Sequence, residues 1–497
     1  MICTTNLFIT TMKHITLLFA AILLQWHLMA QVGIGTDQPK ATLDVNGTLR
    51  VGAVANGIPA KGTIRWNGTL NDFEGYNGTA WVSFTAARNA GSGGGQLAVE
   101  SGASRFQLQF NGQGTLVGRY LGQSLAMANG YLLAGANGDF SLPGTTANNG
   151  SVRILKRQDG TWVHHFALWP PEATAMSGQF GTSVFGNAGN FIVGAPHATV
   201  GTNFAQGKAY IYGININGDV ALQAQLTAPS GSATDYFGRS VAMSQMHAVA
   251  GAPGFNASGQ LNRGIAYIFQ RNSYTNTWAH QSTLQPPDGA EEDLFGNAVA
   301  ISGTIAAVAS PRAKNGNLFL AGKVYIFRLV NNAWTYAQTL TPPNPLAFDK
   351  FGTAISMSGD TLVVGSTQYN GYELSNNGKV YVYVNSANAM QLLTTITAPD
   401  ARKGDQFGAS VFFQQGSLVV GAPSANLGAI ESAGKAYIFK RIGTDLVHHA
   451  TLKAGNGSDN DNFGHAVIMS PAGAIISSLY ATYRNFPQHG RLYFFDE

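Results

Sequence analysis

The sequence predicts an all-β protein built from seven consecutive units of similar length. Glycine accounts for 61 of the 497 residues while charged residues make up only 11%, a composition typical of chains rich in strands and turns. The dipeptide Phe-Gly, counted with one degenerate Leu-Gly copy, recurs at a spacing of 56 to 59 residues, and no segment shows a sustained helical periodicity. Four short strands fit into each unit. Seven four-stranded sheets arranged around an axis predict a seven-bladed β-propeller.

Three short motifs keep a constant phase within each unit. The dipeptide stands at Phe180-Gly181, Phe237-Gly238, Phe295-Gly296, Phe351-Gly352, Phe407-Gly408 and Phe463-Gly464, with a degenerate copy at Leu121-Gly122. A Gly-Ala-Pro motif follows thirteen residues later, as at Gly194, Gly251 and Gly421. After another thirteen residues a glycine opens an aromatic run such as GKAYIY from Gly207. A phase kept over this length predicts a repeated supersecondary unit.

Each unit is predicted to contain four strands with distinct positions in the sheet. The first strand, as in FGRSVAMS from Phe237, has small and medium side chains that suit the crowded centre of a ring. The second, as in TLVVG from Thr361, is continuously apolar and is therefore expected to be buried on both faces. The third carries the aromatic run. The fourth alternates with polar residues and ends in proline, which suits an outer edge.

The last unit ends after its third strand, so its outer strand has to come from elsewhere in the chain. The segment RFQLQF, Arg105 to Phe110, precedes the first unit and has a strand-like pattern. Phe110 lies twelve residues before Gly122, as Leu226 lies twelve residues before Gly238. We therefore predict that this N-terminal strand completes the last blade and closes the ring.

The three motifs resemble FG-GAP repeats, the units of the integrin α-subunit propeller, and in particular their short bacterial secreted form. The resemblance covers about 400 residues, from 98 to 497. It implies a binding or adhesion role with a protein or glycan ligand. Integrin-type repeats commonly carry a calcium loop between the first two strands. Here that connection is only a few residues, such as Ser302-Gly303-Thr304, with too few oxygen ligands for calcium, so no cofactor is expected.

The N-terminal region differs from the repeats. Residues 1–30 contain Lys13 and a ten-residue apolar run from Ile15 to Leu24, which predicts a signal peptide and is too short for a membrane-spanning helix. Met1 and Met12 are alternative starts. Residues 31–89 alternate strand-like segments with Asn-Gly and Gly-Thr turns, which predicts a small β-hairpin module. Residues 90–97 form a Gly/Ser linker, and the propeller occupies 98–497.

These features set expectations for location and partners. The signal peptide predicts export to the extracellular space, the cell surface or the periplasm, and no second apolar run predicts a transmembrane span. Residues 31–89 resemble leader modules of secreted Bacteroidota proteins and tail-fibre-like shafts, so homo-oligomerisation through this module is an expectation. The net charge of +4 is spread without a basic cluster, so a nucleic acid partner is not expected.

An aspartate two residues before the phenylalanine recurs in five units and has two interpretations. The residues are Asp235, Asp293, Asp349, Asp405 and Asp461. They either accept backbone hydrogen bonds in a turn, or form a ring of carboxylates at the channel mouth that serves a cation or a hydrolase or lyase. The turn interpretation is favoured because like charges repel and because Arg119 and Gly178 interrupt the ring. Asp459 and Asp461 are the best candidates for a metal.

The long loops are the predicted binding surface. In a four-stranded blade, the connection from second to third strand and the connection to the next blade emerge on one face. Aromatic residues in these loops are the candidate ligand contacts: Phe204, Phe255, Phe319, Tyr369, Tyr372, Tyr480, Tyr483 and Phe486. Such residues on a rigid scaffold suit recognition, although mutual packing at the loop bases explains them equally well. No catalytic motif is present, so a non-enzymatic secreted or surface binding protein is the favoured function.

Overall fold

In the computed structural model, the chain divides into two compact units, Met1–Gly95 and Gln96–Glu497. The structure describes residues 119–139, 149–172, 178–257, 259–367, 377–443, 445–481 and 489–496, together with six short strands nearer the N-terminus. Five of these strands belong to the first unit. Val32–Ile34 and Leu43–Val45 pair in parallel, and Ile64–Asn67, Asp72–Tyr76 and Trp81–Ser83 form an antiparallel sheet.

The second unit is a ring of seven antiparallel four-stranded blades, which confirms the predicted fold class. The inner strands are Leu121–Ala128, Ser183–Gly186, Ser240–Met243, Ala298–Ser302, Phe351–Ser358, Ser410–Gln414 and Phe463–Ser470. The second strands are Tyr131–Ala136, Asn190–Ala195, His247–Ala252, Ile305–Ser310, Thr361–Ser366, Ser417–Ala422 and Gly473–Ser478. The third strands are Ser151–Gln158, Lys208–Ile214, Ile265–Arg271, Lys323–Val330, Lys379–Ser386, Lys435–Ile442 and Arg491–Asp496. The outer strands are Thr161–Leu168, Val220–Leu226, Trp278–Leu284, Ala333–Leu340, Ala389–Ile396, Asp445–Leu452 and, for blade 7, Phe106–Gln107.

Burial across a blade follows the sequence pattern of its strands. The second strand of blade 5, Thr361–Ser366, is buried along its whole length, as its continuous apolar run predicts. The outer strand Trp278–Leu284 is mostly accessible to solvent except at its last residue. A strand between two neighbours and between two adjacent blades has no exposed surface, whereas the outer strand faces solvent.

The Phe-Gly dipeptide forms a tight turn that leads into the inner strand. In blade 3 the amide of Arg239 donates a hydrogen bond to the carbonyl of Tyr236 at 3.0 Å, and Gly238 between them has a φ of +84°. A turn closed across four residues with a positive φ at the third position is the type II geometry, which favours glycine there. The same hydrogen bond and a positive glycine φ recur at the Phe-Gly or Leu-Gly position of all seven blades.

The phenylalanine of each dipeptide is a buried wedge. Phe295 is fully buried and its ring packs edge-on or tilted against Tyr325 and Phe327 of the third strand of its own blade, at 5.5 and 6.2 Å between ring centroids. The same apolar cluster contains Ile268 and Leu284 of blade 3. Edge-on aromatic contacts add to the stabilisation from burial. The repeated phenylalanine therefore ties the third strand of its own blade to the preceding blade.

Glycines form the closest contacts between neighbouring blades. A Cβ on Gly251 would lie 1.9 Å from the carbonyl oxygen of Gly296 in the next blade. A Cβ on Gly264 would lie 2.2 Å from the carbonyl oxygen of Phe295. Both distances are below any real Cβ contact, so only glycine allows this approach. Equivalent contacts at the glycine that opens the third strand occur at all seven interfaces.

The ring closes through the same contacts between blades 7 and 1. Gly490 approaches the carbonyl oxygen of Leu121, and the Ser477 hydroxyl donates a hydrogen bond to the carbonyl of Gly122 at 2.8 Å. Phe106–Gln107 pairs with the third strand of blade 7, which confirms the predicted closing strand. Gln107 faces Tyr493 as Gln225 faces Tyr210, so the register is two residues from the one that the spacing of Phe110 implies.

Replacing Gly264 with alanine should destabilise the propeller strongly. The alanine would adopt a φ of +82° and its Cβ would meet the backbone of Phe295. We expect the free energy of unfolding to fall by roughly 3 to 4 kcal/mol, measured by denaturant unfolding. Gly259→Ala in the same loop is a matched control, because Gly259 has a φ of +81° and open space around it. It should cost only about 1 kcal/mol, and equal losses would contradict the interblade contact.

Replacing Phe295 with alanine should destabilise the propeller, whereas replacing Phe319 on a loop with alanine should have little effect on stability. We expect Phe295→Ala to cost about 3 to 5 kcal/mol of unfolding free energy because it leaves a cavity between blades. Phe319 is exposed, so its loss should change stability by about 0.5 kcal/mol. Thermal and denaturant unfolding measure both. Similar losses for the two variants would be incompatible with these positions.

Candidate functional site

The connections from second to third strand and from one blade to the next lie together on one face, called here the loop face. Backbone hydrogen bonds join the two kinds of loop. The carbonyls of Phe204, Leu261 and Phe319 accept from the amides of Thr234, Glu292 and Phe348, at 2.9, 2.9 and 2.8 Å. Each bond links one blade to the segment that leads into the next. The loop face is therefore held by the same regular pairing as the blades beneath it.

Exposed apolar side chains occupy one equivalent loop position on three consecutive blades. Phe204, Leu261 and Phe319 are 48%, 53% and 58% exposed and each stands three residues before the glycine that opens the third strand. Leu346 and Phe348, in the segment after blade 4, are also exposed. We call these five residues the apolar arc. Exposed apolar groups on a backbone already held by hydrogen bonds lose little conformational freedom on binding, which favours recognition.

Charged groups lie beside the arc. The ammonium of Lys314 sits 4.7 Å from the centre of the Phe319 ring, a cation–π contact. On the same face, Arg312 pairs with Glu292 at 2.8 Å. An apolar centre with a charged rim is the usual composition of a protein interface.

The remaining predicted loop aromatics have different positions. Phe255 is partly buried against the core of blades 2 and 3, so it packs at the base of its loop. Tyr480 is exposed and stacks edge-on with Tyr120 at 6.0 Å, beside a cavity of about 230 Å³. Tyr369, Tyr372, Tyr483 and Phe486 lie outside the described residues.

The five repeated aspartates are buried and accept hydrogen bonds in turns. Each carboxylate accepts from the amide three residues earlier, at 2.6 to 2.9 Å: Ser232 to Asp235, Ala290 to Asp293, Leu346 to Asp349, Arg402 to Asp405, and Ser458 to Asp461. Burial raises the pKa of Asp235, Asp293, Asp405 and Asp461. This geometry fits the turn interpretation at every position.

The two metal candidates are also engaged in backbone hydrogen bonds. Asp461 accepts from Ser458, and the Asp459 carboxylate accepts from the amide of Glu431 at 2.9 Å. Across the described ranges, no group of three or more His, Cys, Asp or Glu side chains is arranged to hold a metal ion.

The central channel has two levels. At its lower level, towards the short turns, all seven inner strands line a cavity of about 690 Å³, with an apolar residue at the same position in each blade: Leu125, Val184, Val241, Val299, Ile355, Val411 and Val467. Two residues earlier, directly after the repeated glycine, stand Gln123, Thr182, Arg239, Asn297, Thr353, Ala409 and His465. The same turn hydrogen bond fixes the amide of this residue in all seven blades, so these residues occupy equivalent places around the axis and form the upper level, near the loop face. The channel is therefore polar above and apolar below.

The charge of Arg239 acts on His465 across the upper level. Burial and then the positive charge of Arg239 lower the pKa of His465 to about 4. Burial and the same charge also lower the pKa of His197, whose ring lies 5.2 Å from that of Tyr236. Blades 3 and 7 thus place one permanent cation and one neutral imidazole at the same depth of the channel.

Sequence comparison identifies the repeat. The FG-GAP repeat family matches residues 220–269, 278–327, 334–383 and 392–439. Each match begins in an outer strand and ends in the third strand of the next blade. The chain is an FG-GAP repeat β-propeller protein. No curated protein matches it closely enough to suggest a ligand.

FG-GAP repeats are typical of extracellular proteins. Among the residues that the structure describes, no helix has the length and apolar character needed to cross a bilayer.

Motif reading missed several residues of this FG-GAP propeller that are now candidates. Leu261, Leu346 and Phe348 of the apolar arc were not selected from the sequence: the two leucines are not aromatic, and no candidate was taken from the connection between blades that contains Phe348. Aligning the blades on the third-strand glycine would have found Leu261, because it matches Phe204 and Phe319. Arg239 and His465 would have emerged from comparing the residue after each repeated glycine.

Acid should destabilise the propeller partly through His465. The unfolded chain protonates this histidine near pH 6.5 and the folded chain only near pH 4. Between these values the unfolded state binds more protons, so stability should fall as the pH drops, by about 3 kcal/mol in total from this group. His465→Gln should remove that part of the loss, measured by urea unfolding at pH 7 and pH 4. The exposed His280 provides the control His280→Gln, and an unchanged pH dependence in His465→Gln would contradict the assignment.

Proposed function

We propose that this protein is a secreted or cell-surface binding protein that recognises a protein or glycan through the loop face of its propeller. The observation that carries the proposal is the apolar arc. Three consecutive blades expose an apolar side chain at the same loop position, next to two further exposed apolar residues. Equivalent loop positions of adjacent blades lie on the same face, and exposed apolar side chains gathered on one face mark interaction sites.

The rigidity of the loops supports this role. Each arc residue of blades 2 to 4 has its carbonyl bonded to the next segment, so the backbone is ordered before a ligand arrives. Pre-ordering lowers the entropic cost of association. The FG-GAP family and the predicted signal peptide support a location outside the cytoplasm, where adhesion is the biological use that we propose.

An enzymatic role draws no support from the repeated aspartates. All five are buried, and each has a carboxylate oxygen bonded to a backbone amide. A general acid or base has to reach the atom that it protonates or deprotonates. We therefore propose no reaction for this propeller.

The triple variant Phe204→Ser, Leu261→Ser, Phe319→Ser tests the arc. We expect binding of the full-length labelled protein to a glycan array and to immobilised cell-envelope fractions to fall by roughly tenfold or more, because central apolar contacts carry most interface energy. Tyr274, Ile216 and Ile442 are exposed apolar residues in or beside turns on the opposite face. Their serine variants should bind as the wild type does. Retained binding in the arc variant, or loss in the control, would disprove the proposed surface.

A further inference from the structure

The upper level of the channel contains a cation without a counter-charge. Within the described part of the chain, the Arg239 side chain makes no hydrogen bond or ion pair, and it is accessible to solvent. Several other basic residues of this propeller are paired. Lys208, Lys323 and Lys435 contact Glu172, Asp288 and Asp400 at 2.5 to 2.6 Å, and Arg153 contacts Asp139. Arg239 differs from these four in having no carboxylate partner among the described residues.

The surroundings of Arg239 are polar but uncharged. His465 is held neutral, and its ring bonds to the backbone of Gln123. The side-chain amides of Gln123 and Asn297 make no hydrogen bond to described residues. The hydroxyl of Thr353 donates to the carbonyl of Lys350 at 2.7 Å and lies 3.5 Å from the hydroxyl of Thr367. The upper level thus offers one guanidinium and two unpaired amides at a single depth.

A guanidinium in this setting selects a planar anion. Its parallel N–H groups match the two oxygens of a carboxylate, and the interaction strengthens where water is limited. Burial lowers the pKa of Arg239, which indicates incomplete solvation of the charge. A bound carboxylate would restore the missing partner. The five repeated aspartates do not supply it, because each has a carboxylate oxygen bonded to a backbone amide and the charge of none of them acts on Arg239.

We propose that the upper channel binds the carboxylate of an acidic sugar residue presented at the loop face, with Arg239 as the anion contact and Gln123 and Asn297 as hydrogen-bond partners for the sugar hydroxyls. The unpaired amides favour a hydroxylated ligand over a simple acidic side chain, because each would otherwise lose hydrogen bonds to water without replacement. This inference rests on the proposed binding role and names a ligand class for it. It uses residues outside the apolar arc.

The test is binding of free glucuronate and galacturonate to the full-length protein at low ionic strength, followed by ligand-detected NMR. We expect wild-type binding of at least one of the two acids and none of glucose. Arg239→Gln should weaken it roughly tenfold or more, whereas Arg271→Gln should not, because Arg271 lies at a turn on the opposite face and is bonded to Asn276. Thermal unfolding of Arg239→Gln should match the wild type, which shows that the loss is local.

A second readout follows the imidazole of His465. Its pKa should rise when the acid binds, because a carboxylate offsets the charge of Arg239 that lowers it. Binding of both sugar acids by Arg239→Gln at wild-type strength, no binding of either by the wild type, or stronger binding of N-acetylaspartate amide would each overturn the proposal. The arc variant should retain the interaction with the free acids. Failure of this site is therefore distinguishable from failure of the loop-face surface.

Discussion

The contact on which this propeller depends is the approach of backbone to backbone between adjacent blades. Gly251 against Gly296, and Gly264 against Phe295, bring main chains closer than any side chain permits. The blades can then share a common axis while the phenylalanine rings fill the space further out. Serine hydroxyls add to the contact, as where Ser240 donates to the carbonyl of Gly296 at 2.7 Å. In blade 7, where Ala466 replaces the serine, Ser477 of the second strand supplies the hydroxyl.

This constraint explains why both motifs of the repeat, Phe-Gly and Gly-Ala-Pro, contain a glycine. One glycine is needed for a positive φ in the turn, and its partner is needed because the turn of the next blade presses on it. A substitution at the Phe-Gly glycine therefore has two causes of destabilisation, backbone strain and overlap, whereas a substitution at the Gly-Ala-Pro glycine causes overlap alone. Blade 4 tolerates Ala309 at the second position, and there Gly352 packs against an alanine methyl group. A small residue such as alanine can therefore replace the Gly-Ala-Pro glycine, but the methyl group is closely packed against the next blade.

Most of the fold could be read from the sequence because its determinants repeat. A phase shared by seven units fixes the number of blades, and the burial pattern within a unit orders the strands from the centre outwards. The closing strand was predictable as a partner but not in register, because the alternating pattern of Arg105 to Phe110 is nearly unchanged by a shift of two residues. The turn role of the aspartates was also predictable, since their position before a glycine turn suits a backbone acceptor.

The candidate surface could be predicted less well. The exposure of a loop side chain depends on whether its loop folds back against the blade beneath it. The sequence does not distinguish Phe255, which is half-buried, from Phe204, which is exposed. The channel residues were missed because they stand beside the strongest motif of the repeat and vary from blade to blade. Variation at a structurally equivalent position is a signal in a repeat protein, since the scaffold imposes no common residue there.

Closure across the chain ends has a consequence for how molecules of this kind can associate. Blade 7 has a complete edge only while Phe106–Gln107 lies against Arg491–Asp496. If that short strand detaches, the open edge of one molecule would be free to accept the detached strand of another. Repeated exchange in one direction would generate a linear polymer of intact rings, because donor and acceptor are different surfaces. Pairing of Phe106–Gln107 within its own ring would prevent this exchange.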